Sequence, residues 1–214
     1  METVKFYFDP ISPFAWLATK HIARIEASGV RVEMQPILFA AMLNAHGQKG
    51  PAEIPAKKEL TFRDVMRQAK AQDLRFVGPP GHPFNPLTAL RMASAIGDSG
   101  ERKRFVIALF AAIWEDGLNP HDAAAIAGVA DRCGLNGAAL LDAAGTPAVK
   151  QALADNTEQA IAAGIFGVPS FAYQGELFWG ADRIDSLLRR IAGERIDEAQ
   201  LAAFLAQPPL AQRR

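Results

Sequence analysis

Phe6-Tyr7-Phe8-Asp9-Pro10-Ile11-Ser12-Pro13-Phe14-Ala15-Trp16 reads as a short apolar strand, a proline-bracketed turn, one serine and the first turn of a helix. Apart from Lys5, residues 4–8 are β-branched or aromatic, as a buried strand requires, and Asp9-Pro10 ends it because proline cannot continue the ladder. Ser12-Pro13 has the form of an N-cap serine followed by proline at the first helical position. Phe14, Trp16, Leu17, His21, Ile22 and Ile25 then recur at helical spacing, which predicts one helix through this stretch. Ser12 is thus placed at a helix N-terminus directly after a core strand. Such a place suits a phosphate, a carboxylate or a thiolate, and it equally suits a serine that only caps its own helix.

Working outward, Ser28-Gly29 makes a turn and residues 30–38 alternate over their first positions as a second strand should. Strand, helix, strand with a helical crossover predicts a parallel pair. Residues 44–55 are rich in Gly, Pro and polar side chains and read as a loop. From residue 56 to residue 164 the signals are helical: 57–74, a helix opened by Asn85-Pro86, 104–114, a helix opened by Asn119-Pro120-His121-Asp122, and 155–165. Gly78-Pro79-Pro80-Gly81-His82-Pro83 is a turn cluster between the first two. The pattern then returns to strands. Residues 167–173 and 176–180 flank Gln174-Gly175 as a hairpin with a two-residue turn. Asp182 is read as the cap of a final amphipathic helix through Leu187, Leu188 and Ile191, with a short helix carrying Leu201, Phe204 and Leu205 after it. The fold class is therefore α/β, a thioredoxin-like sheet interrupted by helices. Residues 1–40 and 166–214 form the discontinuous sheet-bearing domain and residues 41–165 an inserted helical domain.

Composition narrows the partners. The 214-residue chain balances 23 Lys and Arg against 23 Asp and Glu, so neither nucleic acid nor an acidic membrane surface is recommended. No apolar run approaches the roughly 20 residues that span a bilayer, and no secretory signal is visible. One cysteine, Cys133, excludes an internal disulfide framework and fits a reducing cytoplasm, with the thiol itself read as half-buried and structural. His21, His46, His82 and His121 show neither H-x-x-x-H nor H-E-x-x-H spacing, so no zinc site is expected. Trp114 and Trp179 are read as core residues ahead of walls for an aromatic pocket, and Phe84 and Asn85 fall where a lid over the site would originate.

A strand-turn-helix with a reactive position at the helix start, paired with a distant Val168-Pro169 before a hairpin, resembles the thioredoxin superfamily, and the helical insertion resembles its DsbA-like branch. Where that branch carries Cys-x-x-Cys, this chain has Ser12-Pro13-Phe14-Ala15, so dithiol exchange is chemically impossible here. The start from Phe8 to Leu17, Phe166-Gly167-Val168-Pro169-Ser170-Phe171 and Trp179-Gly180-Ala181-Asp182-Arg183 are similar to two glutathione-using families. These are the 2-hydroxychromene-2-carboxylate isomerases and the kappa-class glutathione transferases. The resemblance implies glutathione as cofactor, a small aromatic substrate and a homodimer.

It also implies residue roles. Ser12 would hold the glutathione sulfur, so that the thiolate is populated near neutrality. Val168, before a cis Pro169, would pair with the cysteinyl unit. Gly180, Ala181 and Asp182 would receive the γ-glutamyl end, and Gln48 or Lys49 the glycyl end. Two departures stand out. Kappa transferases have serine where this chain has Ala181, so a contact there comes from the backbone. The isomerases hold the substrate carboxylate with basic and amide side chains after the second strand. Residues 39–54 offer Asn44, His46, Gln48 and Lys49 but no arginine.

Overall fold

A computed structural model describes residues 1–211 of the chain. Strand β1 (Thr3–Phe8) leads through the serine turn into α1 (Pro13–Thr19) and α2 (Ile22–Glu26), then β2 (Arg31–Pro36) and α3 (Phe39–Ala45). Six helices follow: α4 (Pro55–Ala71), α5 (Leu87–Ala95), α6 (Ser99–Trp114), α7 (Ala123–Arg132), α8 (Gly137–Ala144) and α9 (Pro147–Ala162). The chain returns to β3 (Ser170–Tyr173) and β4 (Glu176–Trp179), then α10 (Ile184–Ile191) and α11 (Glu198–Leu205). The sheet order is β2-β1-β3-β4, with β1 parallel to β2 and antiparallel to β3. The βαβ crossover and the hairpin agree with the sequence reading, and Gln174 (φ 48°) and Gly175 (φ 82°) have the paired positive φ of a type I′ turn.

β1 is central because its side chains can be buried on both faces. Phe6 stacks on Phe171 with ring centroids 4.7 Å apart, and Phe8 meets Phe110 of α6 edge-on at 5.8 Å. Such aromatic pairs contribute about 0.5–1.5 kcal/mol beyond the area they bury. One buried cluster runs from Val4, Phe6 and Phe8 through Trp16 and Leu17 to Phe105, Phe110, Trp114 and Ile126. The sheet and the helical block therefore share a core.

Several helix boundaries differ from the sequence reading, each for an identifiable reason. The single helix expected across residues 14–25 is two. Lys20 and His21 N–H groups donate to Leu17 and Ala18 carbonyls three residues back, and the Thr19 hydroxyl donates to Trp16 O at 2.6 Å. This tighter pattern breaks the α register. α3 was absent from the sequence reading because its start has no local cap: Leu38 makes no side-chain cap bond, and the Phe39 N–H donates to the Asp9 carboxylate at 3.0 Å. α8 was also missed, since Gly137 in its first turn hides it. Its Asn136 cap accepts from Ala139 N–H, and a Cβ on residue 137 would lie 2.2 Å from Ala127 O, so glycine is imposed by packing. α9 begins at Thr146-Pro147, a capped start earlier than the expected 155.

Candidate functional site

Three side chains and one carbonyl hold the serine turn. Ser12 N–H donates to Asp9 O at 3.0 Å, and the Ser12 Oγ accepts from Ala15 N–H at 3.2 Å as an N-cap. The Asp9 carboxylate is completely buried; one oxygen accepts from Ile11 N–H at 2.9 Å and the other from Phe39 N–H. Trp114 Nε1–H, from the end of α6, donates to Pro10 O at 3.1 Å. His82 Nε2 lies 3.0 Å from Ile11 O, and a carbonyl only accepts, so this nitrogen carries a proton. The two carbonyls ahead of Ser12 are thus tied to residues 71 and 104 positions away. Sequence reasoning used Asp9 only as a strand end and His82 only as a turn residue.

The electrostatics of this cradle follow from burial. Desolvation pushes the Asp9 carboxyl up to about 7, against the two backbone N–H donors that pull it down. Burial holds the His82 imidazole below its usual range, partly offset by the Ile11 carbonyl, with Lys58 adding a further lowering. The neutral Nε2–H form is therefore favoured, and the buried Nδ1 has no partner among the described residues.

Ser12 is 8 % exposed. Its oxygen is engaged as an acceptor, but among the described residues no protein acceptor takes its proton. α1 is only seven residues long, so what it offers an anion is local rather than a large dipole. Opposite the turn, the Val168–Pro169 peptide is cis as expected. Tyr7 pairs with Ser170, and Val168, just ahead of that strand, shares a buried cluster with Tyr7. The Val168 N–H and C=O have no hydrogen-bond partner among the described residues. Gly180 N–H donates to Pro169 O at 2.9 Å, which ties the 3-10 turn Ala181–Arg183 to this loop, and that turn packs on α1. The end of β1 that leads to Ser12, the Val168–Pro169 loop and the turn at Ala181–Arg183 thus lie on neighbouring elements.

Asp182 is not a helix cap, which corrects the sequence reading. It lies inside the 3-10 turn, makes no capping bond and is exposed, 3.3 Å from Arg183 in an ion pair. The Ala181 and Asp182 N–H groups remain without backbone partners among the described residues. A positive φ of 109° at Gly180 is the backbone conformation that favours glycine there.

The remaining candidates sit further out. Asn44, Gln48 and Lys49 are exposed at the end of α3 and beyond, with no hydrogen bond to the serine turn. Asn85 is exposed; its side chain accepts from Leu87 N–H, and its own N–H donates to His121 Nε2. Phe84 is buried against His82 and Trp114 and is a packed wall rather than a lid. Trp114 is core, as read, but Trp179 is 54 % exposed and meets Phe166 edge-on at 5.0 Å. Cys133 Sγ contacts Arg104 O at 3.8 Å, and burial raises its thiol. Two surface hollows lie away from Ser12. One, of about 410 Å³, is lined by Met66, Lys70 and Phe76, and one, of about 260 Å³, by Ile96, Leu135 and Leu140.

The comparisons with known proteins agree with this fold. The family model of the DSBA-like thioredoxin domain matches residues 3–192. The 2-hydroxychromene-2-carboxylate isomerase of Sphingobium xenophagum is 30% identical over 189 residues, covering 87% of this chain and 96% of the relative. Human glutathione S-transferase kappa 1 is 24% identical over 214 residues, covering 91% of this chain and 92% of the relative. A solved 2-hydroxychromene-2-carboxylate isomerase superposes with a TM-score of 0.83 at 24% identity, covering 96% of this chain and all of that one. The chain belongs to the DSBA-like thioredoxin family, on the branch that holds the 2-hydroxychromene-2-carboxylate isomerases and the kappa-class glutathione transferases.

Proposed function

We propose that the chain is a glutathione-dependent isomerase acting on a small aromatic acid of the hydroxychromene-carboxylate kind. The observation that carries this reading is the Ser12 hydroxyl. It is held by Ala15 N–H with its proton unclaimed, beside the unpaired main chain of Val168. A cysteinyl unit lying along Val168 in β fashion would bring its sulfur to that proton. Donation from Ser12 then favours thiolate over thiol. The unpartnered N–H groups of Ala181 and Asp182 suit a carboxylate, and the Asp182 carboxylate suits an ammonium, so the two ends of a γ-glutamyl group have partners. Gln48 and Lys49 are the candidates for the glycyl end. Glutathione, when bound, supplies the nucleophilic sulfur that adds reversibly to the substrate. The protein orients and stabilises, and Ser12 is no hydrolase nucleophile. The nearest histidine, His82, spends its protonated nitrogen on Ile11 O.

A kappa-type transferase would use the same thiolate on an electrophile and release the conjugate. The similarity to human kappa 1 favours it as the second reading. A non-catalytic thioredoxin-like module, with Ser12 binding peptide or glutathione without turnover, is the reading from a different class. Isothermal titration with glutathione is expected to show micromolar-to-millimolar binding. Ser12→Ala keeps most of that affinity while the ultraviolet thiolate band of the complex weakens. Hydroxychromene-carboxylate is then followed optically with and without glutathione. Isomerisation that conserves total glutathione supports the first reading, consumption supports the second, and binding without turnover supports the module. No binding at all sinks both enzymes. The reading includes a homodimer in the cytoplasm, for which light scattering at two concentrations is the direct check.

A further inference from the structure

Lys58 on α4 is half-buried, and its ammonium donates to the His82 carbonyl at 2.7 Å. Among the described residues no carboxylate lies within ion-pair distance of it. The acidic side chains that could reach this neighbourhood are engaged elsewhere. Glu115 takes Lys20 and the Trp16 indole N–H, Glu59 takes Arg63, and Glu53 accepts from Gly50 N–H. A partly desolvated cation without a counter-ion is unfavourable unless something brings the opposite charge. One helical turn on, Phe62 extends the same face of α4, which packs on α1. The Phe62 ring meets His82 edge-on at 5.1 Å and Trp114 at 6.4 Å, and His82 reaches the peptide before Ser12. Ile11, Phe14 and Phe62 are only partly buried, so this rim is both apolar and accessible.

A lone ammonium at the edge of an aromatic surface, linked through His82 to the peptide ahead of the serine, is the complement of a planar ring bearing a carboxylate. We propose that Lys58 holds the substrate's carboxylate, so that the Ser12 site selects aromatic acids over neutral aromatics of the same shape. This rests on the isomerase reading but names a different contact. The basic group comes from α4, not from the loop after β2, which lacks arginine. Its position there is visible only in the fold, because Lys58 reaches the site through the carbonyl of a residue 24 positions away.

The test uses the full chain without glutathione and two probes of one shape, 1-naphthoate and 1-naphthamide, followed by quenching of the intrinsic tryptophans. The unmodified protein is expected to bind naphthoate roughly tenfold tighter than naphthamide, the usual scale for a hydrogen bond to a charged group. In K58M the ratio should fall to about one with naphthamide affinity unchanged, and in K58R the preference should largely return. If K58M weakens both probes equally, Lys58 is only a strut for the His82 loop and the proposal is overturned. It is overturned as well if the ratio survives in K58M, or if the unmodified protein does not prefer the acid. A parallel glutathione titration separates the two claims. Loss of glutathione binding in the unmodified protein removes the isomerase reading while a charge preference at Lys58 stands, and the reverse pattern removes Lys58 alone.

Discussion

At the scale of the residue, Ser12 and Asp9 divide two tasks: one presents a proton, the other holds the turn that presents it. Removing the Ser12 hydroxyl also deletes an N-cap, so Ser12→Ala should lower stability by about 1 kcal/mol, read from urea unfolding. Ser12→Thr keeps the cap and should stay within a few tenths of the original. Asp9 makes a pH-dependent prediction. Its carboxyl sits near 7 in the fold instead of near 3.8, so between those values the native state keeps a proton that the unfolded chain has released. Stability contributed by this group therefore falls as pH rises from about 4 to about 7, is unaffected below, and stays fully lowered above. Asp9→Asn should flatten this component in denaturant midpoints taken from pH 5 to pH 8. The variant starts lower at pH 5, by about 1–3 kcal/mol, because the amide cannot accept from both Ile11 and Phe39. Parallel pH curves for the two proteins would contradict the assignment.

Elements carry the next level of argument, because the site is assembled where their ends meet. The end of α6 reaches the serine turn through Trp114, whose indole N–H satisfies the buried Pro10 carbonyl. Trp114→Phe preserves most of the ring packing and leaves that carbonyl unpaired. A loss of about 1–3 kcal/mol in chemical unfolding is expected, with larger values pointing to cavity effects. On the opposite side, the hairpin of β3 and β4 sets Trp179 against Gly167. A Cβ at residue 167 would come within 2.6 Å of the indole nitrogen. Gly167→Ala should therefore displace Trp179 from Phe166, shift the tryptophan emission and destabilise by about 1–3 kcal/mol. An unchanged spectrum and midpoint would show that the two groups are not in contact.

At the scale of the whole molecule, the larger of two buried clusters joins Phe6, Phe8 and Trp16 to Phe105, Phe110, Trp114 and Ile126. The division into residues 1–40 with 166–214 and an insert at 41–165 is thus a proposal about chain organisation, while the core crosses it. Helix α4, the loop with His82 and helix α6 supply contacts to the serine turn, and β1 supplies the wall on which α6 rests. Residues 41–165 expressed alone should lack the near-ultraviolet signal and dispersed amide spectrum of a packed domain. The full chain should lose both in one cooperative transition.

Local chemistry made much of this legible in advance. The strand-turn-helix at Ser12, the type I′ hairpin at Gln174-Gly175 and the Val168-Pro169 loop depend on residues within a few positions of one another, and the parallel pair follows from the helical crossover that joins its strands. Their turn, cap and alternation signals therefore lie in the linear order. Even the absence of dithiol chemistry follows from two missing sulfurs. What only the tertiary structure decided is everything joined by distant residues: the capping of α3 by Asp9, the seating of the serine turn on His82 and Trp114, the exposure of Trp179, and the approach of Lys58. A helix end, a carbonyl or an ammonium takes whichever partner packing brings within about 3 Å, and a one-dimensional pattern does not record that distance.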